Sequence, residues 1–246
     1  MKKYLLLGVL AISSLTMANE VQSIGVATTF SNSIYRAKDQ IRPLPLVNLS
    51  YDRFFINGGT VGIKAYEEDS FSWSVIGEPL GGYFEGWSIS NSDMDKGYNI
   101  KDRKSQLMGG LSIDFDFTED TVGNINYIWG EHGSKGEINL SKIIYINDRV
   151  AILPTLSFKY YDKEFLNYYV GVSQEEAIRS PKINKSYSTS DSFSAGANIA
   201  IETNITEQLV INTFVGVEYF DDKISDSPIV RSNNQVYGGI GIRYSF

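Results

Sequence analysis

The sequence predicts an all-β protein, a transmembrane antiparallel β-barrel of about twelve strands behind a cleaved signal peptide. Three observations predict it. Apolar side chains recur at every second position through most of the chain, which is a strand period. The connections between these runs alternate between short and long, as tight periplasmic turns and long outer loops do. The N-terminus reads as a secretory signal, and no later stretch is apolar enough for a spanning helix.

Composition agrees. The chain has 246 residues, no Cys, one His, 16 Tyr, 13 Phe and 3 Trp. Without Cys there is no disulfide and no thiolate metal site. The net charge of −7 disfavours nucleic acid as a partner, because binding it needs a basic surface. Mean hydropathy is −0.16, too polar for a helical membrane protein. A barrel tolerates this value, because only alternate strand residues face lipid.

Residues 1–18 form the expected signal. Lys2 and Lys3 precede an apolar run over residues 4–15, and Thr16-Met17-Ala18 is a small-x-small cleavage site. Residues 19–246 then form the barrel, with Asn19 as the mature start. Losing Lys2 and Lys3 takes the charge from −7 to −9.

Strands are expected over 21–29, 43–51, 55–66, 71–76 and 82–89, the last a weak pattern. They continue over 105–117, 121–129, 136–146, 150–161, 192–203, 209–220 and 235–246. Asp52-Arg53 makes a turn. Pro43 and Pro45 are placed near a strand start, where a missing N–H is tolerated. The run 77–81 reads as a Gly-Pro turn, and 67–69 as a loop. In 105–117, Leu107, Leu111, Ile113, Phe115 and Phe117 face one way, and Gln106, Ser112, Asp114 and Asp116 the other. Counted from the periplasm, the three longest connections, 90–104, 162–191 and 221–234, all fall outside. Aromatics near strand ends (Tyr51, Phe55, Phe117, Trp129, Tyr160, Tyr219, Phe246) suit interface girdles. A soluble sandwich shares the period-two pattern. The small polar-face residues suit a narrow lumen better.

The stretch 235–246 alternates strictly, with Val236, Ile240, Ile242, Tyr244 and Phe246 on the lipid face. Tyr237, Gly239, Gly241, Arg243 and Ser245 occupy the other. Gly241, Tyr244 and Phe246 resemble the C-terminal assembly signal of outer-membrane barrels, with Gly239 where a polar residue is usual. Arg at Val215 or Ile240 should therefore be costly, and Gly216→Ser on the opposite face milder.

Three further segments carry a family resemblance. Asp102-Arg103-Lys104-Ser105 leads into Met108-Gly109-Gly110. Asn167-Tyr168-Tyr169-Val170-Gly171-Val172-Ser173 precedes Glu176-Ala177 and Ser180. Ser225-Asp226-Ser227-Pro228-Ile229-Val230 precedes the last strand. Their order and spacing resemble the MipA/OmpV family of outer-membrane proteins. The resemblance implies a barrel in the cell outer membrane that acts as a scaffold in the envelope, joining a peptidoglycan hydrolase to a peptidoglycan synthase. A small passive solute channel and an adhesin are the alternatives. The resemblance marks Asp102, Arg103, Tyr168, Tyr169, Gly171, Glu176, Ser227 and Pro228 as lumen or partner contacts. Partners are outer-membrane lipid, the barrel-assembly machinery and the murein enzymes.

Chemistry is sparse. His132 stands alone in a loop and makes no triad with its neighbours. The loop from Asn91 through Asp93 and Asp95 to Asp102 departs from a calcium loop in its Gly and its final acid. Neither an enzyme, a cofactor nor a metal is expected. Lys64, Asp114, Asp116, Lys159, Glu202, Glu218 and Arg243 are expected in the lumen as a mixed-sign network rather than a solute path. In the insertion 162–191, Phe165, Leu166, Tyr168, Tyr169, Val170 and Val172 demand burial. Residues 168–173 are therefore expected to fold into the mouth, with 174–185 near the surface as a partner site.

Overall fold

The computed structural model describes residues 22–246, so the signal peptide, its cleavage site and a start at Asn19 lie outside the described residues. One antiparallel sheet closes on itself. Its strands are β1 (Ser23–Ser31), β2 (Gln40–Tyr51), β3 (Phe54–Asn57), β4 (Thr60–Glu68), β5 (Phe71–Gly81), β6 (Gln106–Thr118) and β7 (Thr121–Gly130). They continue as β8 (Gly133–Lys142), β9 (Ile144–Asn147), β10 (Val150–Tyr161), β11 (Ser192–Asn204), β12 (Leu209–Phe220) and β13 (Asn234–Ser245). Each pairs with its neighbours, and β1 closes the ring on β13 from Ser23 opposite Ser245 to Ser31 opposite Tyr237. β8 and β9 are two halves of one strand, so the wall has twelve. Three short helices, α1 (Lys163–Tyr169), α2 (Gln174–Arg179) and α3 (Asp222–Ser225), lie in the outer loops.

The break between β8 and β9 has a local cause. β10 pairs with β8 up to Thr155 opposite Ser141 and with β9 from Ile152 opposite Ile144. Between them stand Leu153 and Pro154. Proline has no N–H to donate, and the ladder lapses there.

Alternation sorts the faces as expected. Val215, Val236, Ile240, Ile242, Tyr244 and Phe246 are exposed on the outside, where lipid lies. Ser72, Ser74, Asn124, Asn139, Asn212, Glu202 and Arg243 are buried inside. Gly241 faces inward opposite Ala27, and a Cβ there would meet Ala27 Cβ at 2.7 Å and Leu46 Cδ1 at 2.9 Å. Tyr244 and Phe246 stack on the lipid face with ring centroids 6.5 Å apart.

Six local expectations are corrected. The single strand over 55–66 is the β3–β4 hairpin, turned at Gly58-Gly59, where Gly58 has φ +57. The run 77–81 is the upper end of β5 rather than a turn, and 82–89 is no strand. The loop at Asp69 becomes a periplasmic turn. One strand gained and one lost leave the count at twelve. Pro43 and Pro45 lie inside β2 rather than near its start. Phe55 points inward, with its ring against Gly62, so it is no girdle residue.

Candidate functional site

The outer loops form a cap. Residues 32–39, 82–105, 162–191 and 221–233 share one apolar core with the inner face of β5–β7. Trp87 is its centre, with ring centroids 5.0 Å from Tyr161, 5.7 Å from Phe165, 6.0 Å from Tyr169 and 5.7 Å from Phe220. Phe165, Leu166, Tyr169 and Val170 are fully buried, so the expected burial of the insertion is what the structure has. Helix α1 explains the spacing. Asp162 caps it by accepting from Phe165 N–H, and Phe165, Leu166 and Tyr169 then share one face. Isolated bridges tie the loops together at Tyr35–Val230, Ala37–Met94, Ile89–Arg103 and Val172–Tyr187.

The residues that carry the family resemblance meet in this cap. Arg103 and Glu176 form a buried ion pair at 3.0 Å, and Arg103 also donates to Gly171 O at 2.9 Å. Glu176 is the third helical residue of α2 and closes a capping box with Ser173. It also accepts from Lys101 N–H at 2.8 Å. Burial pushes its carboxyl up, but the hydrogen bonds from Arg103 and from the Lys101 and Ser173 N–H groups outweigh this and bring it down to about 2.

Tyr168 OH accepts from Lys104 N–H at 2.9 Å, and Tyr169 OH donates to Lys104 O at 3.1 Å. Tyr35 OH donates to Trp87 O at 2.8 Å. Burial raises the hydroxyls of Tyr35 and Tyr169, which stay protonated donors. Ser227 Oγ donates to Val170 O at 2.5 Å, and Pro228 O accepts from Arg36 Nε. Asp102 is turned the other way, accepting from Asn91 N–H at 2.7 Å and fixing its own loop.

The remaining loop candidates are likewise engaged. The His132 ring stacks on Tyr168 at 3.7 Å. Asp95 faces Arg231 at 3.4 Å, and Asp93 O accepts from Lys38 N–H. Within 174–185 the surface expectation holds only in part. Gln174, Glu175, Ile178 and Arg179 are exposed, whereas Glu176, Ser180 and Ile183 are buried.

Beneath the cap lies a chamber of about 180 Å³. Its wall carries two ion-pair clusters. Lys135 meets Glu85 at 2.8 Å and Glu78 at 3.1 Å, and Lys159 meets Glu218 at 2.8 Å. Ser194 and Tyr161 hydroxyls also donate to Glu218. Lower down, Arg243 faces Glu202 at 3.5 Å, and Asn124 donates to Asp114 at 2.7 Å. Lys64 pairs with Glu67 at 2.9 Å. The expected mixed-sign network is therefore present in part: Lys159 with Glu218 and Arg243 with Glu202 pair inside, whereas the partner of Lys64 is half-exposed and Asp116 is in no ion pair among the described residues. Glu78, Glu85, Lys135 and Glu137 were missed by sequence reasoning. The first two lay in a supposed turn and a supposed strand, and Lys135 one residue before an assumed strand start. The strict alternation Lys135, Glu137, Asn139, Ser141 was the signal that could have found it.

These features define a class, an outer-membrane β-barrel whose outer loops pack together into one core at its mouth. The chain belongs to the family described as MltA-interacting protein MipA, whose model matches residues 24–246. It is 27% identical to the 24 kDa outer membrane protein of Pasteurella multocida (strain Pm70), over 96% of this chain and 95% of that protein. It is 25% identical to the MltA-interacting protein of Escherichia coli (strain K12), over 99% of this chain and 98% of that one. The NanC porin covers 91% of this chain and is itself covered completely, with a TM-score of 0.48 and 9% identity. The protein is one of the outer membrane.

Proposed function

We propose that the protein is a closed-lumen interaction protein of the outer membrane, acting by holding partners rather than by catalysis. The observation that carries this reading is the Arg103–Glu176 junction. It joins loops 73 residues apart over the mouth, and a buried pair of this kind is specific to one arrangement. The residues that carry the family resemblance thus hold the lumen shut. The His132 ring is stacked on Tyr168, a packing role that supports the non-catalytic reading.

The name of the Escherichia coli relative supports a murein enzyme as partner, in a scaffold joining hydrolase and synthase. Such a partner would meet the periplasmic rim. The turns there expose Asp52, Arg53, Asp69, Glu119, Asp148, Arg149 and Glu207. Five acids against two bases suit a basic partner surface, which would steer encounter and fix orientation. Gly241, Tyr244 and Phe246 would serve the assembly machinery before that. A photo-crosslinker at Asp148, in intact cells, should recover a murein-processing enzyme. Recovery of none from any periplasmic turn would remove the scaffold reading.

A gated solute channel is the second reading, and the charged chamber under the cap favours it. It requires the cap to move, which conductance measures.

A further inference from the structure

The barrel wall has a gap. β3 offers β2 only four residues, pairing Phe54–Asn57 with residues 48–51. Among the described residues, 41–46 of β2 have β1 on one side and no strand on the other. Across the gap, β4 reaches β5 only as far as Val61 opposite Gly77, so residues 78–81 of β5 have only β6. The bare edge of β2 is ~20 Å long at about 3.3 Å per residue.

A bare edge facing hydrocarbon is costly, because its backbone N–H and C=O groups lose their partners. Two features relieve that cost. Val47 O accepts from Gly58 N at 2.8 Å, so the backbone groups of Val47 point into the gap. By the two-residue period, the nitrogens of Pro45 and Pro43 point there too, and neither carries a hydrogen.

The segment 82–88 also swings inward. Gly82 and Gly86, with φ +82 and +86, make the bends. Arg42 donates to the carbonyls of Tyr83 and Ser88, and its guanidinium lies 4.6 Å over the Tyr83 ring. Phe84 then packs on Gly59, Leu44 and Leu46. An aromatic side chain, rather than a hydrogen-bonded strand, stops the gap.

Behind Phe84 the chamber is continuous with the gap. Leu44, Gly58, Gly59, Leu80 and Phe84 line one end of it, and Lys135, Glu137, Lys159 and Glu218 the other. Its volume of about 180 Å³ is that of a pocket for one aromatic ring with a short chain. Glu78 and Glu85 share Lys135, and Glu218 holds Lys159. Among the described residues neither Glu137 nor Arg42 is in an ion pair, and the four carboxylates that line the chamber outnumber its three cations, Arg42, Lys135 and Lys159, by one.

We propose that this gap is a side port that takes a small cationic amphiphile, such as an arylalkylamine, from the membrane into the chamber. Its ring rests on Leu44, Leu80 and Phe84, and its ammonium faces Glu137. The apolar end faces lipid and the charged end faces the lumen, which sets both the direction of entry and the sign of the head group.

The test uses the full mature chain in lipid nanodiscs, with folding of each variant checked by heat-modifiable migration. Calorimetry with 2-phenylethylamine should show one saturable site, and 2-phenylacetate should show none. Glu137→Gln should weaken amine binding at least about tenfold. Glu137→Asp, which keeps the charge, should retain the preference for the amine. Gly59→Trp, placed at the rim outside the charged end, should slow association at least about tenfold. Equal binding of amine and carboxylate, or unchanged binding in Glu137→Gln, would overturn the ligand assignment. An unchanged association rate in Gly59→Trp would overturn the side route.

Discussion

Glu176 shows how much a single carboxylate can hold. Its pKa falls from 4.5 to about 2 because hydrogen bonds from Arg103, Lys101 and Ser173 outweigh its burial. A lowered folded pKa gives stability that is complete above about 4.5 and is lost as pH falls through about 2. Pepsin cleavage within residues 174–185 should therefore rise steeply as pH drops across that window, and Glu176→Gln should flatten the rise. Glu176→Ala leaves the Arg103 guanidinium buried and unpaired, which should loosen the cap by about 3–5 kcal/mol in hydrogen exchange of α2.

Facing is the other residue-scale matter. Arg at Val215 or Ile240, both exposed to lipid, should cost about 2–4 kcal/mol near the midplane in unfolding from bilayers. Gly216→Ser is less mild than alternation alone suggests. A Cβ there would lie 2.8 Å from Asn198 Cβ and 2.5 Å from the Tyr237 ring, so overpacking of about 1–3 kcal/mol is expected.

At the scale of elements, alternation carried most of the wall, since lipid outside and polar lumen inside write a period of two. Where it misled, a glycine was the reason. At Gly58-Gly59 the lipid-facing residues change parity, from Phe54 and Ile56 to Val61 and Ile63, and a single strand drawn over 55–66 passes over that phase shift. Residues 77–81 carry Gly and Pro yet remain strand, because Pro79 falls in the stretch where the β5–β6 register shifts. Proline placement answers to which side of a strand is bare, and one strand's sequence does not reveal its neighbours. Pro154 tests this. Its side faces the lapse between β8 and β9, so Pro154→Val should supply the missing donor opposite Lys142. It should stabilise the barrel by about 0.5–1.5 kcal/mol in urea unfolding from lipid, with no change of fold.

At the scale of the whole molecule, the cap was legible only as a demand for burial. Phe165, Leu166 and Tyr169 announced it through their composition, but the partner surface came from Trp87, in a segment read as a weak strand. The resemblance marked Arg103 and Glu176 without saying that they touch, because contact across 73 residues leaves no local pattern. Their pairing bears directly on whether this barrel conducts. Removing residues 163–186 takes away α1, α2 and the Glu176 carboxylate, and with them the main cover of Trp87. The wall does not depend on that segment, since β10 pairs with β11 from Tyr161 opposite Ser192 down to Val150 opposite Thr203. The shortened protein should therefore still assemble and migrate as a folded barrel. In planar bilayers the intact chain should show little conductance. The deletion should raise single-channel conductance well above it, through a chamber whose Lys135 and Lys159 pairs remain in place. Equal conductance in the two proteins would mean that the cap does not seal the lumen, and the closed-lumen reading would fall with it.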